Sequence, residues 1–97
     1  MDYKSKRWEH LRKVILRRDK YMCQECKRYG KAREGNHVHH IFPAEHYDEY
    51  IYEPWNLITL CQACHNRMHD REGHELSAEG EQLLERTRRR LQDRLSG

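Results

Sequence analysis

The segment CQACHNRMHD, residues 61–70, contains two cysteines in a Cys-x-x-Cys pair and two histidines four positions apart. Thiolates and imidazoles at such spacings commonly bind metal ions in small domains. On a helix, His65 and His69 would lie on one face, a spacing suited to two ligands of one ion. Cys64 would face about 100° away from that pair. The segment therefore indicates metal binding, either at one site or at the border of two.

A second Cys-x-x-Cys pair, Cys23 and Cys26, ends 35 positions before Cys61. The chain has 97 residues, 36% of them apolar, so it forms one domain with a small core. A zinc ion held tetrahedrally by four thiolates would stabilise such a domain. Redox activity is the alternative, but one Cys-x-x-Cys pair would suffice for it. The two pairs together therefore favour structural zinc.

The sequence shows no signal peptide and no long apolar run. We therefore expect a cytoplasmic protein without a membrane partner. In that reducing compartment, paired cysteines bind zinc far more often than they form disulfides.

Basic residues are concentrated near both ends of the chain, although the net charge is only +3. The two basic ends comprise Lys4, Lys6, Arg7, Arg12, Lys13, Arg17, Arg18 and Lys20, and then Arg86, Arg88, Arg89, Arg90 and Arg94. Acidic residues such as Glu45 and Asp48 lie between them. This distribution predicts a partner with regularly spaced phosphates, while solvated helix faces are the alternative explanation for any single cluster.

Hydrophobic spacing and turn residues predict short helices and strands. Trp8, Leu11 and Ile15 recur at helical spacing, and Leu84, Leu91 and Leu95 do so near the end of the chain. The predicted order is a helix at 5–19, a knuckle and loop at 21–35, strands at 37–42 and 56–60, a helix at 62–72 ended by Gly73, and a helix starting at Ser77. We expect a single domain, 1–97, made of an N-terminal helix (1–20), a zinc-stabilised core (21–73) and a basic C-terminal helix (74–97).

The predicted elements place one cysteine pair in a knuckle and the other at the start of a helix, with a hairpin between them. This is the arrangement of a treble-clef zinc finger, which predicts a small α+β fold with flanking helices. Four thiolates fill the coordination sphere of zinc and leave no open position for chemistry. The histidines of the opening segment would therefore belong to a different site.

Four short segments agree in residue type, order and spacing with one known family: CQEC (23–26), VHHI (38–41), NL (56–57) and CQACH (61–65). Through them the chain resembles the HNH endonucleases, the ββα-metal nucleases, built on a four-cysteine zinc scaffold. The resemblance covers about residues 21–73. It implies a ββα-metal core and metal-dependent hydrolysis of DNA phosphodiester bonds that leaves a 5′ phosphate and a 3′ hydroxyl.

The resemblance also implies a role for each matching residue. His40 corresponds to the general base, and His39 and His65 to ligands of the catalytic metal ion. His69 matches a third ligand found in some members. Asn56 corresponds to the asparagine that holds the hairpin and orients the base.

Position 39 is aspartate in many relatives and histidine here. Three imidazoles favour Zn²⁺, Ni²⁺ or Mn²⁺, whereas Mg²⁺ prefers oxygen ligands, so all four remain candidates for the catalytic ion. The structural site formed by Cys23, Cys26, Cys61 and Cys64 would hold Zn²⁺.

The expected partner is DNA, double-stranded and bound with little sequence specificity. Arg67, on the helix that follows the second cysteine pair, is a candidate contact to the DNA backbone, with an exposed helix residue as the alternative. A non-catalytic zinc-finger module that only binds DNA is the alternative function. It would give no reason for five residues of the nuclease pattern to occur together, namely His39, His40, Asn56, His65 and His69.

The remaining histidines are assigned no role: His10, His37, His46 and His74. One geometric conflict is visible in the sequence itself. Neighbours on a strand point to opposite faces, so His39 and His40 can act on one phosphate only if the strand twists or ends there. Pro43 makes an end near these residues plausible.

Overall fold

Within the described residues, 1–73 and 75–96, the computed structural model contains four α-helices and one two-stranded antiparallel hairpin. The elements are, in chain order, α1 (Lys6–Arg18), α2 (Gln24–Arg28), β1 (His37–His40), β2 (Leu57–Leu60), α3 (Gln62–Arg67) and α4 (Ala78–Ser96). Two 3-10 turns, Asp48–Tyr50 and Pro54–Asn56, lie in the connection between the strands. The predicted small α+β fold with flanking helices is confirmed.

The first helix forms where the sequence predicts it. Ser5 is its N-cap, and the hydroxyl accepts a hydrogen bond of 3.1 Å from the Trp8 amide. The helix buries Trp8, Ile15 and Leu16, which recur on one face. This apolar face holds α1 against the hairpin.

The hairpin separates the interior into two apolar clusters. His37 pairs with Leu60 and His39 with Ile58, and directly paired residues point to the same face of a sheet. One face carries Leu57, which packs with Trp8 and Ile15 of α1. The opposite face packs against α3 and α4, in the cluster that contains Leu60 and the four cysteines.

Each Cys-x-x-Cys pair begins a short helix. Cys23 is the N-cap of α2, and its sulfur accepts a hydrogen bond from the Cys26 amide, while Cys61 is the N-cap of α3. The sequence predicted only a knuckle and loop in residues 21–35, so the five-residue helix α2 is a correction. A helix of five residues is too short to show an amphipathic repeat in the sequence.

The helix predicted at 62–72 ends at Arg67, five residues earlier than expected. The physical reason is Ser77, whose hydroxyl donates to the Arg67 carbonyl and whose amide donates to the Met68 carbonyl at 3.0 Å. These bonds satisfy carbonyl groups that a longer helix would have used. The chain then turns at Gly73, which has a φ of +76°.

The last helix begins as predicted, with the Ser77 hydroxyl accepting a hydrogen bond from the Gly80 amide at 3.2 Å. Its buried face consists of Leu83, Leu84 and Thr87. Leu95 is 89% exposed, so the predicted apolar stripe does not reach the end of the helix. No helix in the described part of the chain has the length and apolar character needed to cross a membrane.

Candidate active site and metal centre

The four cysteine sulfurs form a compact, buried group. The sulfur of Cys26 lies 3.9 Å from that of Cys61 and 3.7 Å from that of Cys64, and all four ligand atoms lie within 4.8 Å of one another. A zinc ion with four Zn–S bonds of about 2.3 Å in tetrahedral geometry separates its sulfurs by about 3.8 Å. The donor set and its spacing therefore fit structural zinc.

The electrostatic environment of this group favours thiolate at one position. Burial raises the pKa of Cys61, but hydrogen bonds from the Cys64 amide and from the other three cysteine side chains outweigh burial and lower it to about 6. A thiol with this pKa is deprotonated near neutral pH, and thiolate is the form that binds zinc.

A second group of possible metal ligands consists of His39, His65 and His69, whose ligand atoms also lie within 4.8 Å of one another. The ring centroid of His39 is 5.7 Å from that of His65 and 5.3 Å from that of His69. His39 belongs to β1 and His65 to α3. His69 lies beyond the end of α3, in a bridge with Leu76, so the prediction that both histidines share one helix face is wrong. The bridge nevertheless keeps the His69 ring 5.2 Å from that of His65.

The surroundings of His39 fit a metal ligand. Its side chain is 2% exposed, and among the described residues its Nε2 atom has no hydrogen-bond partner. Burial, together with repulsion from His69 and His65, lowers its pKa to about 3. The ring is therefore neutral, with an unpaired buried nitrogen that a metal ion would satisfy.

His40 points to the other face of the hairpin, as alternation along a strand requires. Its Nε2 atom lies 3.1 Å from the Ile51 carbonyl oxygen, which can only accept a hydrogen bond. Nε2 is therefore the protonated nitrogen, and in the neutral ring Nδ1 carries a free lone pair. Burial lowers the pKa of His40, although the bond to Ile51 and the charge of Glu45 oppose that shift. The neutral, proton-accepting form is thus favoured.

The two histidines nevertheless line one cavity of about 260 Å³. Its walls are formed by Tyr3, Val38, His39, His40, Pro43, Ala44, Glu45, His65 and His69. β1 ends at His40, so both rings border the open space beyond the strand. The strand ends before Pro43, as expected. His39 and His40 can therefore line the same cavity although they point to opposite faces of the strand.

Asn56 is fully buried at the base of the connection between the strands. Its Oδ1 accepts a 2.7 Å hydrogen bond from the Phe42 amide. Its Nδ2 donates to the carbonyl oxygens of Phe42 and Tyr50, both at 3.1 Å. The Asn56 side chain therefore closes the loop from Phe42 to Asn56. It also holds Tyr50, which directly precedes Ile51, and the Ile51 carbonyl is the hydrogen-bond partner of His40.

One histidine without a predicted role adjoins the cluster. The ring of His37 stacks on that of His65, with centroids 5.1 Å apart and planes 5° from parallel. His37 and His39 are two positions apart on β1. Because residues two apart on a strand point to the same face, the sequence could have placed both histidines on one face. Arg67 is exposed on α3, His10 is exposed on α1, and His74 lies outside the described residues.

Comparison with known proteins agrees with this geometry. The family described as HNH endonuclease matches residues 23–71. A protein of Lactococcus phage SK1, named "Probable HNH endonuclease", is 34% identical over 68 residues, which span 67% of this chain and 71% of that protein. The chain belongs to the HNH endonuclease family. This HNH protein is therefore an enzyme of the nuclease class, and its substrate is a nucleic acid.

A solved structure supports the same assignment. The HNH protein matches the crystal structure of the deep-sea thermophilic bacteriophage GVE2 HNH endonuclease with manganese ion, with a TM-score of 0.66 and 40% identity. The match spans 67% of this chain and 71% of that one. A relative of this similarity with a bound manganese ion supports a divalent metal for the HNH protein.

Proposed function

We propose that this HNH protein hydrolyses phosphodiester bonds of DNA, with His40 as the general base and a divalent cation held by His39, His65 and His69. The observation that carries the proposal is the buried Nε2 of His39, which has no hydrogen-bond partner in the described part of the chain and lies within a group of three imidazoles whose ligand atoms are within 4.8 Å of one another. A buried polar atom without a partner is costly unless a ligand completes it.

Three protein ligands leave coordination positions open for water or substrate. A divalent cation held by His39, His65 and His69 would stabilise the negative charge that develops during phosphodiester hydrolysis. Mn²⁺, Ni²⁺, Zn²⁺ and Mg²⁺ are the candidates, and the imidazole ligands favour the first three. The cysteine group holds structural Zn²⁺, which requires reduced thiols and is therefore consistent with a cytoplasmic location.

His40 acts on the attacking water. Its Nδ1 atom accepts a proton from water as the new O–P bond forms and the bond from phosphorus to the 3′ oxygen breaks. The Ile51 carbonyl stabilises the resulting imidazolium through the proton on Nε2. The departing 3′ oxygen takes a proton from solvent, which leaves a 3′ hydroxyl and a 5′ phosphate.

Asn56 supports the base without touching it. Its hydrogen bonds to Phe42 and Tyr50 hold the loop that presents the Ile51 carbonyl to His40. We therefore expect loss of this side chain to displace the base as well as to destabilise the fold.

The substrate that the charge distribution fits best is double-stranded DNA bound through its phosphates, with little sequence preference. Basic side chains on α1 and α4 and the exposed Arg67 on α3 supply the positive charge. Contacts to phosphates position a nucleic acid without reading its bases.

The test is nicking of supercoiled plasmid by metal-stripped protein after addition of each candidate ion. The wild-type protein should cut only with metal. His40→Ala should lower the rate by about 10²–10⁴-fold, the usual contribution of a general base, while binding of DNA and Mn²⁺ persists. His46→Ala is the matched control, because His46 is exposed and lies outside the three-histidine group.

Two results would contradict the proposal. Cleavage by His40→Ala at the wild-type rate would remove the base. Metal-independent retention of DNA without any nicking would instead support a zinc-finger module that only binds.

A further inference from the structure

Helix α1 lies outside residues 23–71, the part of the chain that matches the family, yet it contacts the candidate base. The indole of Trp8 stacks on the His40 ring, with centroids 5.0 Å apart and planes inclined by 22°. Tyr3, which precedes the helix, meets both rings edge-on, at 5.5 Å from Trp8 and 6.3 Å from His40. The three rings thus form one group, of which Tyr3 and His40 line the cavity and Trp8 lies behind them in the core.

Trp8 is itself held firmly. It is 4% exposed and packs with Ile15 and Leu57, so its position follows from the packing of α1 on the hairpin. Its amide also donates to the Ser5 hydroxyl at the helix N-cap. The indole therefore presents a fixed flat surface to His40.

His40 needs two constraints to aim Nδ1. The hydrogen bond from Nε2 to the Ile51 carbonyl fixes one edge of the ring, but the ring plane can still rotate about that bond. Stacking on the indole fixes the plane of the ring. Together the two contacts determine the direction of the Nδ1 lone pair, which points away from Ile51.

We propose that Trp8 is a positioning residue for His40, so that α1 is part of the catalytic unit. The inference rests on the proposed role of His40 as general base. Trp8 acts through the His40 ring on which it stacks, and not through the three histidines assigned to the metal ion. Its removal should therefore slow the chemical step and leave metal affinity and DNA affinity unchanged.

The experiment measures single-turnover cleavage at saturating DNA and Mn²⁺ for Trp8→Met and Trp8→Phe. Methionine fills much of the apolar space but has no flat face, so the rate should fall about ten- to hundredfold, as misplaced catalytic groups do. Phenylalanine keeps an aromatic face and should stay within about threefold of the wild type. Ile15→Val is the matched control, because Ile15 lies on the same helix and in the same cluster.

A second measurement separates positioning from a general loss of structure. In a His40→Ala background, Trp8→Met should cause no further loss of residual cleavage, since the ring that it positions is gone. An equal fall in both backgrounds, failure of phenylalanine to retain the rate, or a parallel loss of Mn²⁺ affinity would overturn the inference. Wild-type cleavage by His40→Ala would overturn the proposed function first, and this inference with it.

Tyr3 provides the test if Trp8→Met does not fold. Tyr3 is 54% exposed, so Tyr3→Leu leaves the core intact while removing the edge contacts to both rings. We expect a severalfold fall in the same single-turnover rate. Tyr3→Phe should retain the rate. Equal rates for Tyr3→Leu and the wild type would contradict the aromatic group as a positioning device.

Discussion

At the scale of single residues, the adjacent residues His39 and His40 face opposite sides of one strand, and we propose a different role for each. His39 turns toward α3, where burial lowers its pKa and keeps its ring neutral, and where its Nε2 has no hydrogen-bond partner within residues 1–73 and 75–96. His40 turns toward α1, where a backbone carbonyl selects its tautomer. The proposed metal ligand and the proposed proton acceptor require different surroundings, and strand alternation supplies both within two positions.

Asn56 allows a prediction about stability at this scale. Asn56→Ala removes the partner of the buried Phe42 amide and carbonyl, whereas the Tyr50 carbonyl still accepts a hydrogen bond from the Glu53 amide. Each unsatisfied buried group costs about 1–3 kcal/mol, so we expect the free energy of unfolding to fall by about 3 kcal/mol or more. Urea denaturation measures the change, and Asn66→Ala is the control because Asn66 is exposed on α3. A loss below 1 kcal/mol would contradict the structural role.

Much of the candidate site was visible in the sequence, because metal ligands and bases come from few residue types at regular spacings. The sequence placed both cysteine pairs, and resemblance to the family pointed to His39, His40, Asn56, His65 and His69. The roles assigned to those histidines and to Asn56 remain predictions. The partners of His40 could not be foreseen, because Trp8 and Ile51 reach it only through tertiary packing.

At the scale of elements, the junction between α3 and α4 keeps His69 near His65. Ser77 bonds the carbonyl groups of Arg67 and Met68 at the end of α3 and also caps α4. Two helices therefore share one residue at their junction. The turn between them brings His69 back into the cluster after the helix has ended.

Gly80 gives a prediction about this junction. Alanine normally stabilises a helix by about 1 kcal/mol relative to glycine. At position 80, however, a methyl group would collide with the Met68 carbonyl oxygen, so the two helices would have to separate. We expect Gly80→Ala to lower the midpoint of thermal unfolding. Ala78→Gly, at an exposed position of the same helix, should cost only about 1 kcal/mol.

A rise in the melting temperature of Gly80→Ala would mean that α4 does not pack on Met68 as described. The sequence predicted both helices and the N-cap at Ser77, since caps and periodicity are local signals. It did not predict the early end of α3. That end depends on bonds from a residue ten positions later, which no local pattern reports.

At the scale of the whole molecule, the basic ends flank a nuclease core, and their charge gives a prediction about salt. Replacing Arg89, Arg90 and Arg94 of α4 by glutamine should weaken DNA binding and flatten its dependence on salt. Each lost phosphate contact reduces the log–log slope by about 0.9 for duplex DNA. DNA-binding titrations at several salt concentrations, from about 50 to about 200 mM, measure the slope of log affinity against log salt concentration.

A matched triple substitution tests whether position matters or only net charge. Lys27, Lys31 and Arg33 are exposed residues near the first cysteine pair, and their change to glutamine removes the same charge. We expect a smaller change in slope for this variant. Equal slopes for both variants would contradict a specific contribution of α4.

We propose that the segment CQACHNRMHD, residues 61–70, borders two metal sites with different tasks. Structural zinc in small domains contributes on the order of 10 kcal/mol of apparent binding free energy, comparable with the whole stability of a domain. The cysteine site should therefore maintain the fold. The histidine site, with its open coordination positions, should exchange its ion readily and affect only cleavage.

The most direct test is metal analysis with circular dichroism on the wild type, Cys61→Ser and His65→Ala, before and after dialysis against a mild chelator. The dialysed wild type should keep one zinc per chain and its helical signal, lose cleavage, and regain it with Mn²⁺. Cys61→Ser should be unfolded, whereas His65→Ala should be folded, zinc-bound and inactive. If His65→Ala lost the tightly held zinc and unfolded like Cys61→Ser, the histidines and cysteines would form a single structural site, and the account would be wrong.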